Sequence, residues 1–228
     1  MTKGTLIVID ALDGAGKETQ TELLAEYLYR VGVDFKVVSF PNYDSESSYG
    51  IQKLLKGNIG NVNVYGNSIL YTYDRLLTMT NPDTLEGHKS IIDFYNEGGL
   101  VICDRYTSSN VLYQTIDMGY EETIKYIEWL EGLEYDTLEL PRPDAILMLN
   151  VEPEVSMQNI EKRGKGHDNY ETLERLTKVY DKINMLERME YPMNIINCTD
   201  NGEMKSREDI HKLIVEKVET IYGIEKQI

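Results

Sequence analysis

The residues with the clearest chemical meaning lie near the start of the chain, at positions 10–20, DALDGAGKETQ. The segment follows the apolar run 5–9 and precedes a helical pattern of apolar residues. Glycines there let successive backbone N–H groups point into one concavity, and the next helix presents its positive end to an anion. Lys17 can reach the outer phosphates of a nucleotide. The segment therefore predicts a phosphate-binding loop, whose nucleotide-binding residues are Asp13, Gly14, Ala15, Gly16, Lys17, Glu18 and Thr19.

Two positions of this loop differ from the common pattern G-x-x-x-x-G-K-[ST]. Ala11 stands at the first glycine, and Glu18 stands where a hydroxyl usually touches Mg²⁺. A carboxylate beside a triphosphate is repulsive unless a cation intervenes. Glu18 could point away from the nucleotide, Thr19 could supply the hydroxyl, or the site could bind nucleotide weakly; we favour the first explanation. The alternative for the whole loop is a glycine-rich turn before an ordinary helix.

A second group of chemical residues, Asp104, Arg105 and Tyr106, follows the apolar run 99–103. Ligands of open α/β sheets bind beyond the carboxyl ends of the strands, so we expect Asp104 and Arg105 to face the same crevice as Lys17. Asp104 could hold Mg²⁺ directly or through water, and Arg105 could grip a phosphate with its fork of donors. The alternative is a surface Asp-Arg pair.

The elements that must position these residues alternate along the chain between short apolar runs and helical patterns. This order predicts an α/β fold, a doubly wound five-stranded parallel sheet with helices on both faces. The predicted strands are 5–9, 35–40, 99–103, 145–151 and 194–198. The predicted helices are 17–31, 67–81, 109–118, 121–133, 153–162, 169–190 and 207–222.

Composition narrows the class of protein. The 228 residues are 41% hydrophobic, which predicts one globular domain over 1–228. The net charge of −16 opposes binding to nucleic acid. Cys103 and Cys198 lie in apolar runs, so we expect core thiols in a reducing compartment. The sequence has no run long enough to span a membrane and no leader, so no membrane association and a cytoplasmic location are expected.

Two smaller features complete the pattern. The segment 161–168, EKRGKGHD, is short, basic and broken by glycine, which predicts a mobile lid loop between two helices. The histidines His88, His167 and His211 have no metal-ligand spacing, so we expect surface histidines.

Nearly the whole chain resembles the thymidylate kinases, which are nucleoside monophosphate kinases of the P-loop class. The resemblance rests on DGAGKETQ (13–20), FPNY (40–43), YTYDR (71–75), DRYTSSNVLYQ (104–114), LPRPD (140–144) and DNYE (168–171). It implies a P-loop NTPase fold and ATP- and Mg²⁺-dependent phosphorylation of dTMP to dTDP. It also implies a homodimer, because members of this family commonly pair.

The resemblance implies roles for individual residues. Tyr71 is similar to the aromatic that stacks on thymine and Arg75 to the arginine that reads the base, and their spacing puts both on one helix face. The alternatives are core packing for Tyr71 and a surface pair with Asp74 for Arg75. The other implied substrate-binding residues are Asp13, Phe40, Tyr43, Arg105, Ser109, Asn110, Tyr113 and Gln114.

For four of these residues the resemblance implies a specific contact with the substrate or the metal. Tyr43 and Arg105 would bind the acceptor phosphate, and Asp13 would touch the sugar hydroxyl or the metal shell. The bulk of Tyr113 would exclude a ribose 2′-hydroxyl. For Ser109 and Gln114, polar capping and lining of a helix is the alternative.

The implied reaction needs no general base, because the acceptor phosphate is already ionised at neutral pH. Catalysis then depends on Lys17, Arg105, on Asp104 with Asp13 at the metal, and on Arg163 with Lys162 and Lys165 of the lid loop. Simple solvation of an acidic protein is the alternative for that loop. Two other functions stay open: a kinase-like regulatory module with impaired catalysis, and a kinase for another pyrimidine deoxynucleotide or nucleoside.

Overall fold

The computed structural model describes residues 3–60, 62–85, 88–163 and 172–223. The strands are β1 (Thr5–Ala11), β2 (Phe35–Ser39), β3 (Leu100–Asp104), β4 (Ala145–Asn150), β5 (Asn194–Asn197), β6 (Thr199–Asp200) and β7 (Glu203–Met204). The helices are α1 (Lys17–Arg30), α2 (Tyr49–Leu55), α3 (Val64–Thr80), α4 (Ile91–Asn96), α5 (Thr107–Gln114), α6 (Tyr120–Glu131), α7 (Pro153–Arg163), α8 (Leu173–Arg188) and α9 (Arg207–Tyr222).

The main sheet has five strands in the order β2-β3-β1-β4-β5. Strand β2 pairs in parallel with β3, and β4 pairs in parallel with both β1 and β5. Strands β1 and β4 are almost continuously apolar and buried, as expected for parallel strands covered on both faces. The predicted five-stranded parallel sheet is confirmed.

The chain divides into two compact units. The first contains Met1–Leu6 and Phe35–Pro143, and the second contains Ile7–Asp34 and Asp144–Ile228. Strands β2 and β3 and helices α2 to α6 belong to the first unit. The second unit contains β4 to β7, most of β1, and helices α1 and α7 to α9.

The first unit contains elements that the hydrophobic pattern did not predict. Helix α4 begins with a capping box in which Ser90 and Asp93 satisfy each other's backbone N–H groups. Helix α3 starts three residues earlier than expected, because the Asn63 side chain accepts a hydrogen bond from the Gly66 N–H. After α6 the chain makes a π-helical turn, Gly132–Thr137, in which the Leu138 N–H donates to the Leu133 carbonyl.

In the second unit, α1 and α9 begin at Lys17 and Arg207, as predicted. Helix α9 starts with the Ser206 hydroxyl accepting from the Asp209 N–H and ends at Gly223, whose φ is 78°. The start of the predicted helix 169–190 lies outside the described residues, and α8 is described from Leu173. The short hairpin β6-β7 was not predicted.

Both cysteines are free and buried, as expected from their positions in apolar runs. Burial raises the pKa of the Cys103 thiol, which therefore stays protonated and acts as a core residue. None of the helices in the described part of the chain is long and apolar enough to cross a membrane.

Candidate active site

The phosphate-binding loop leaves β1 and reaches α1 through two glycines in a left-handed conformation. Gly14 has a φ of 80° and Gly16 a φ of 81°, which disfavour any residue with a Cβ atom. Ala11 is the last residue of β1 and is buried. The first glycine of the common pattern is therefore replaced at a position that is extended strand, where alanine fits.

Two side chains of α7 hold this loop. The Ser156 hydroxyl donates to the Asp13 carbonyl, and the Asn159 amide donates to the Gly14 carbonyl at 3.0 Å. A Cβ atom on Gly14 would lie 2.6 Å from the Ser156 carbonyl oxygen. The loop therefore sits tightly against α7. Sequence reasoning missed Ser156 and Asn159, because in the sequence they are only two of several polar residues on the predicted helix 153–162.

The N-cap residue that precedes helix α1 is Gly16, which has no side chain to cap the backbone N–H groups of the first turn. Glu18 is exposed in that turn, Lys17 and Thr19 are partly buried, and Ala15 is buried. That the Glu18 carboxylate points away from a bound nucleotide stays a prediction. Asp13 is partly exposed beside the glycines.

In the first unit, Asp104 and Arg105 follow the end of β3. Arg105 has a φ of 65°, a left-handed conformation that costs a residue with a side chain about 1 kcal/mol or more. Its guanidinium lies 5.1 Å from the centre of the Tyr113 ring, and its Nη1 is 3.5 Å from the Ser109 hydroxyl. Asp104 and Arg105 are both partly exposed. The unusual backbone turns Arg105 towards the polar face of α5.

Arg75 lies in the interior of the first unit, not in a surface pair with Asp74. It is 1% exposed and forms a two-pronged ion pair with Glu134 of the π-helical turn. Its Nη1 donates to the Asn110 side-chain oxygen at 3.4 Å. Burial alone would lower the pKa of Arg75, but the Glu134 carboxylate outweighs it and the pKa is raised. Arg75 is therefore a charged group buried in the interior of the first unit.

The Asp74 side chain has different hydrogen-bond partners from those of Arg75, the next residue in the chain. Its carboxylate accepts from the Asn42 backbone N–H at 2.9 Å and from the Ser47 hydroxyl at 2.5 Å. Phe40 is buried and is joined to Pro41 by a cis peptide bond. Asp74 thus holds the FPNY segment against α3. Sequence reasoning considered Asp74 only as a surface partner of Arg75, and that alternative is wrong.

The other predicted substrate-binding residues of the first unit differ in exposure. Tyr71 on α3 and Ser109, Tyr113 and Gln114 on α5 are partly buried, whereas Asn110 is buried. Tyr43 is 54% exposed. The Arg75–Asn110 bond brings the predicted α3 and α5 residues into one polar cluster. Tyr71 is not part of the fully buried core, which was the alternative reading for it.

The basic loop falls largely outside the described residues. Lys162 and Arg163 are exposed in the last turn of α7, while Lys165, His167 and the remainder of 164–168 are not described. His88 is exposed beside Asp83, and His211 is partly buried. Within 3–60, 62–85, 88–163 and 172–223, no cluster of three histidine, cysteine or acidic residues could hold a metal ion.

The geometry of these two regions can be compared with known proteins. A family model described as thymidylate kinase matches residues 9–210, which is most of the chain. The chain belongs to the thymidylate kinase family. Thymidylate kinase relatives include the enzyme of Plasmodium falciparum, 28% identical over 96% of this chain and 91% of its own length. A probable thymidylate kinase of Pyrococcus horikoshii is 31% identical over 93% of this chain and 95% of its own length.

A solved structure has the same fold. The thymidylate kinase of Candida albicans superposes with a TM-score of 0.69 at 23% identity, covering 98% of this chain and 94% of its own. The five-stranded sheet therefore belongs to the fold of that thymidylate kinase. As a thymidylate kinase, the chain is an enzyme that binds nucleotides and uses ATP to phosphorylate dTMP to dTDP. A kinase-like regulatory module, and a kinase for another pyrimidine, are not favoured.

Proposed function

We propose that this dTMP kinase uses Lys17, Arg105, Asp104 and Arg163 as its catalytic residues. Two observations support the first three roles. The phosphate-binding loop combines left-handed glycines with an uncapped helix N-terminus, and Arg105 adopts a left-handed backbone directly after β3. Both features follow the carboxyl end of a parallel strand, where ligands of open α/β sheets bind. Arg163 is proposed from the resemblance and its exposed position at the end of α7.

The chemistry needs positioning and charge neutralisation, because the dTMP phosphate is already a nucleophilic anion at neutral pH. The backbone N–H groups of 14–19 and the Lys17 ammonium would hold the β- and γ-phosphates of ATP. Arg105 and Tyr43 would hold the dTMP phosphate, the former through a charge-assisted fork of donors. Arg163 would neutralise charge on the transferring group.

Magnesium fits this arrangement as a phosphate-bound ion. Mg²⁺ in phosphoryl-transfer sites is usually held by one or two carboxylates with substrate phosphates and water, not by an all-protein cage. Asp104 and Asp13, both partly exposed, would be the carboxylate partners. The bound ion would neutralise charge on the β- and γ-phosphates.

For the nucleoside, we propose that Tyr71 stacks on thymine while Arg75 and Asn110 supply polar contacts to its edge. Arg75 and Asn110 are linked and buried, which supports a shared role in the same pocket. Phe40, Ser109 and Gln114 would line the pocket, and Asp13 would meet a sugar hydroxyl. Tyr113 would disfavour ribose by bulk.

The assembly is proposed to be a homodimer. Helix α3 exposes an apolar stripe at four-residue spacing, formed by Tyr65, Ile69, Tyr73 and Leu77. Large exposed apolar stripes are typical of association surfaces. Sedimentation should give twice the chain mass, and Ile69→Glu should give the monomer.

Two other predictions from the sequence stay predictions. One is a single domain over 1–228, and the other is a cytoplasmic location, which the two free thiols support.

The roles are tested by ADP formation with purified protein, ATP and Mg²⁺. The acceptors are dTMP, dUMP, the thymine ribonucleotide, thymidine and none. Turnover should be high on dTMP, lower on the ribonucleotide and absent on thymidine. The dUMP difference should be modest, because one methyl group is worth about 1 kcal/mol.

Lys17→Ala should abolish turnover, with Lys178→Ala as the matched control. Lys178 is an exposed lysine of the second unit that faces Glu174 at 3.8 Å. Equal activity of the two variants would overturn the role of Lys17. If the protein still bound nucleotide but turned over none of the acceptors, the proposed chemistry would be contradicted, and Glu18 would be the residue to examine as the cause.

A further inference from the structure

The π-helical turn 132–137 carries a buried carboxylate, that of Glu134, which accepts four hydrogen bonds. Glu134 is fully buried. It accepts from the Arg75 Nε at 3.1 Å and from the Arg75 Nη2. The Thr72 and Thr107 hydroxyls also donate to it, each at 2.5 Å. Four hydrogen bonds from two helices, α3 and α5, therefore fix this carboxylate.

These contacts leave Arg75 only partly engaged. A guanidinium has five N–H donors, and the bonds to Glu134 and Asn110 use one each on Nε, Nη1 and Nη2. Within the described residues, one N–H on Nη1 and one on Nη2 have no partner. Buried donors are rarely left unsatisfied, so these two groups indicate that a polar ligand atom completes the site.

We propose that Glu134 is a positioning residue that orients Arg75 so that its two remaining N–H donors meet the 4-oxo group of thymine. The inference rests on the proposed role of Arg75 in base reading. Glu134 touches no substrate; it fixes the plane of the guanidinium and balances its charge. Without that carboxylate, Arg75 would be a buried cation with no counter-charge, and its rotation would no longer be restricted.

The Thr72 and Thr107 hydroxyls fix the orientation of the Glu134 carboxylate. Thr72 lies on α3, three residues before Arg75, and Thr107 begins α5, three residues before Asn110. Each occupies part of the carboxylate, so Glu134 cannot rotate without losing a hydrogen bond. The two helices that carry the base-reading residues thus share one anchor.

The test compares dTMP with 4-thio-dTMP, in which sulfur replaces the 4-oxo oxygen while the N3–H donor and the 5-methyl group are kept. In the wild type we expect the analogue to raise KM by about 10- to 100-fold, because sulfur is a weak hydrogen-bond acceptor and leaves buried donors poorly paired. In Glu134→Gln the KM for dTMP should rise about 30-fold, and the penalty for the analogue should shrink to about threefold. The KM for ATP should change less than about twofold, because ATP does not contact Arg75.

A merely structural role would give a different pattern. If Glu134→Gln raised KM for dTMP and the analogue by the same factor, or left both unchanged, the inference would be overturned. Ser68→Ala is the matched control, since it removes another buried hydrogen bond of α3, the one to the Tyr126 hydroxyl. Its melting temperature should fall while the analogue penalty stays at the wild-type value.

Two further variants keep the outcome decisive. If Glu134→Gln does not fold, Thr107→Val removes one donor to Glu134 and should reduce the analogue penalty about threefold; an unchanged penalty would overturn the inference. Arg75→Met separates this inference from the proposed function. A penalty retained in Arg75→Met would overturn base reading by Arg75 itself, whereas a penalty lost there but retained in Glu134→Gln would overturn only the role of Glu134.

Discussion

The phosphate-binding loop and the cluster around Arg75 recognise their ligands by opposite means. The loop uses backbone: two left-handed glycines, a helix N-terminus, and carbonyls held by Ser156 and Asn159. The Arg75 cluster uses buried side chains from α3, α5 and the π-helical turn. Backbone N–H groups suit a phosphate, which is highly charged and the same in every nucleotide. A base edge needs side chains that differ in donors and acceptors.

After the loss of turnover expected for Lys17→Ala, the largest effect is expected at the arginine that follows β3. Arg105→Ala should lower kcat/KM for dTMP about 10³-fold, because it removes the proposed bidentate contact to the acceptor phosphate. Steady-state kinetics would measure this. Arg142→Ala is the control, since Arg142 is a half-exposed arginine of the same unit that pairs with Glu131 and Asp136. Similar losses in both variants would mean that general charge, not a site contact, sets the rate.

The next largest effect is expected in the backbone of the phosphate-binding loop. Gly14→Ala should destabilise the protein by about 2–4 kcal/mol, because the new Cβ meets the Ser156 carbonyl and the φ is unfavourable. Urea unfolding measures it. Gly202→Ala is the control: its φ is also 80°, but a Cβ there meets nothing within 4 Å. It should cost only about 1 kcal/mol. Equal costs would show that close approach to α7 is unimportant.

A smaller effect is expected from the neighbour of Arg75. Asp74→Asn should raise KM for dTMP about tenfold, since a neutral amide holds the Asn42 N–H and the Ser47 hydroxyl less firmly. The KM for ATP should be unchanged. Asp93→Asn, which weakens the capping box of α4, is the control. A rise in the KM for ATP of equal size would contradict a local role for Asp74.

The sequence was most informative where function depends on contiguous residues. The five strands, the loop 13–19 and the DRY segment could be predicted because hydrophobic period and glycine spacing are local signals. The π-helical turn and the partners of Asp74 and Arg75 could not. Glu134 lies 59 positions from Arg75 and is surrounded in sequence by other acidic residues. Nothing local distinguishes a carboxylate that will be buried from one that will be solvated.

The smallest effect concerns stability away from both ligand regions. The Tyr27 hydroxyl donates to Glu219 at 2.6 Å, and this bond and burial raise the pKa of Tyr27 to about 12. The unfolded chain, with the ordinary value of 10.0, loses this proton first as the pH rises. The contribution of Tyr27 is therefore complete below pH 10 and is lost towards pH 12.

Urea unfolding of wild type and Tyr27→Phe would show this as a difference that shrinks through that pH range, with kcat unaffected at neutral pH. Tyr29→Phe is the control, because Tyr29 is 83% exposed. A difference that grows with pH would contradict the sign.

The π-helical turn has a consequence for length variation in this part of the chain. A π turn closes its hydrogen bond over one residue more than an α turn, so the residues after it are displaced relative to those of a continuous α-helix. Deleting one residue between 132 and 137 would restore α-helical geometry and rotate the following side chains by about 100° about the helix axis. Glu134 would then leave its pocket. Homologues that vary by one residue here should therefore also differ in how they balance the charge of the arginine on α3.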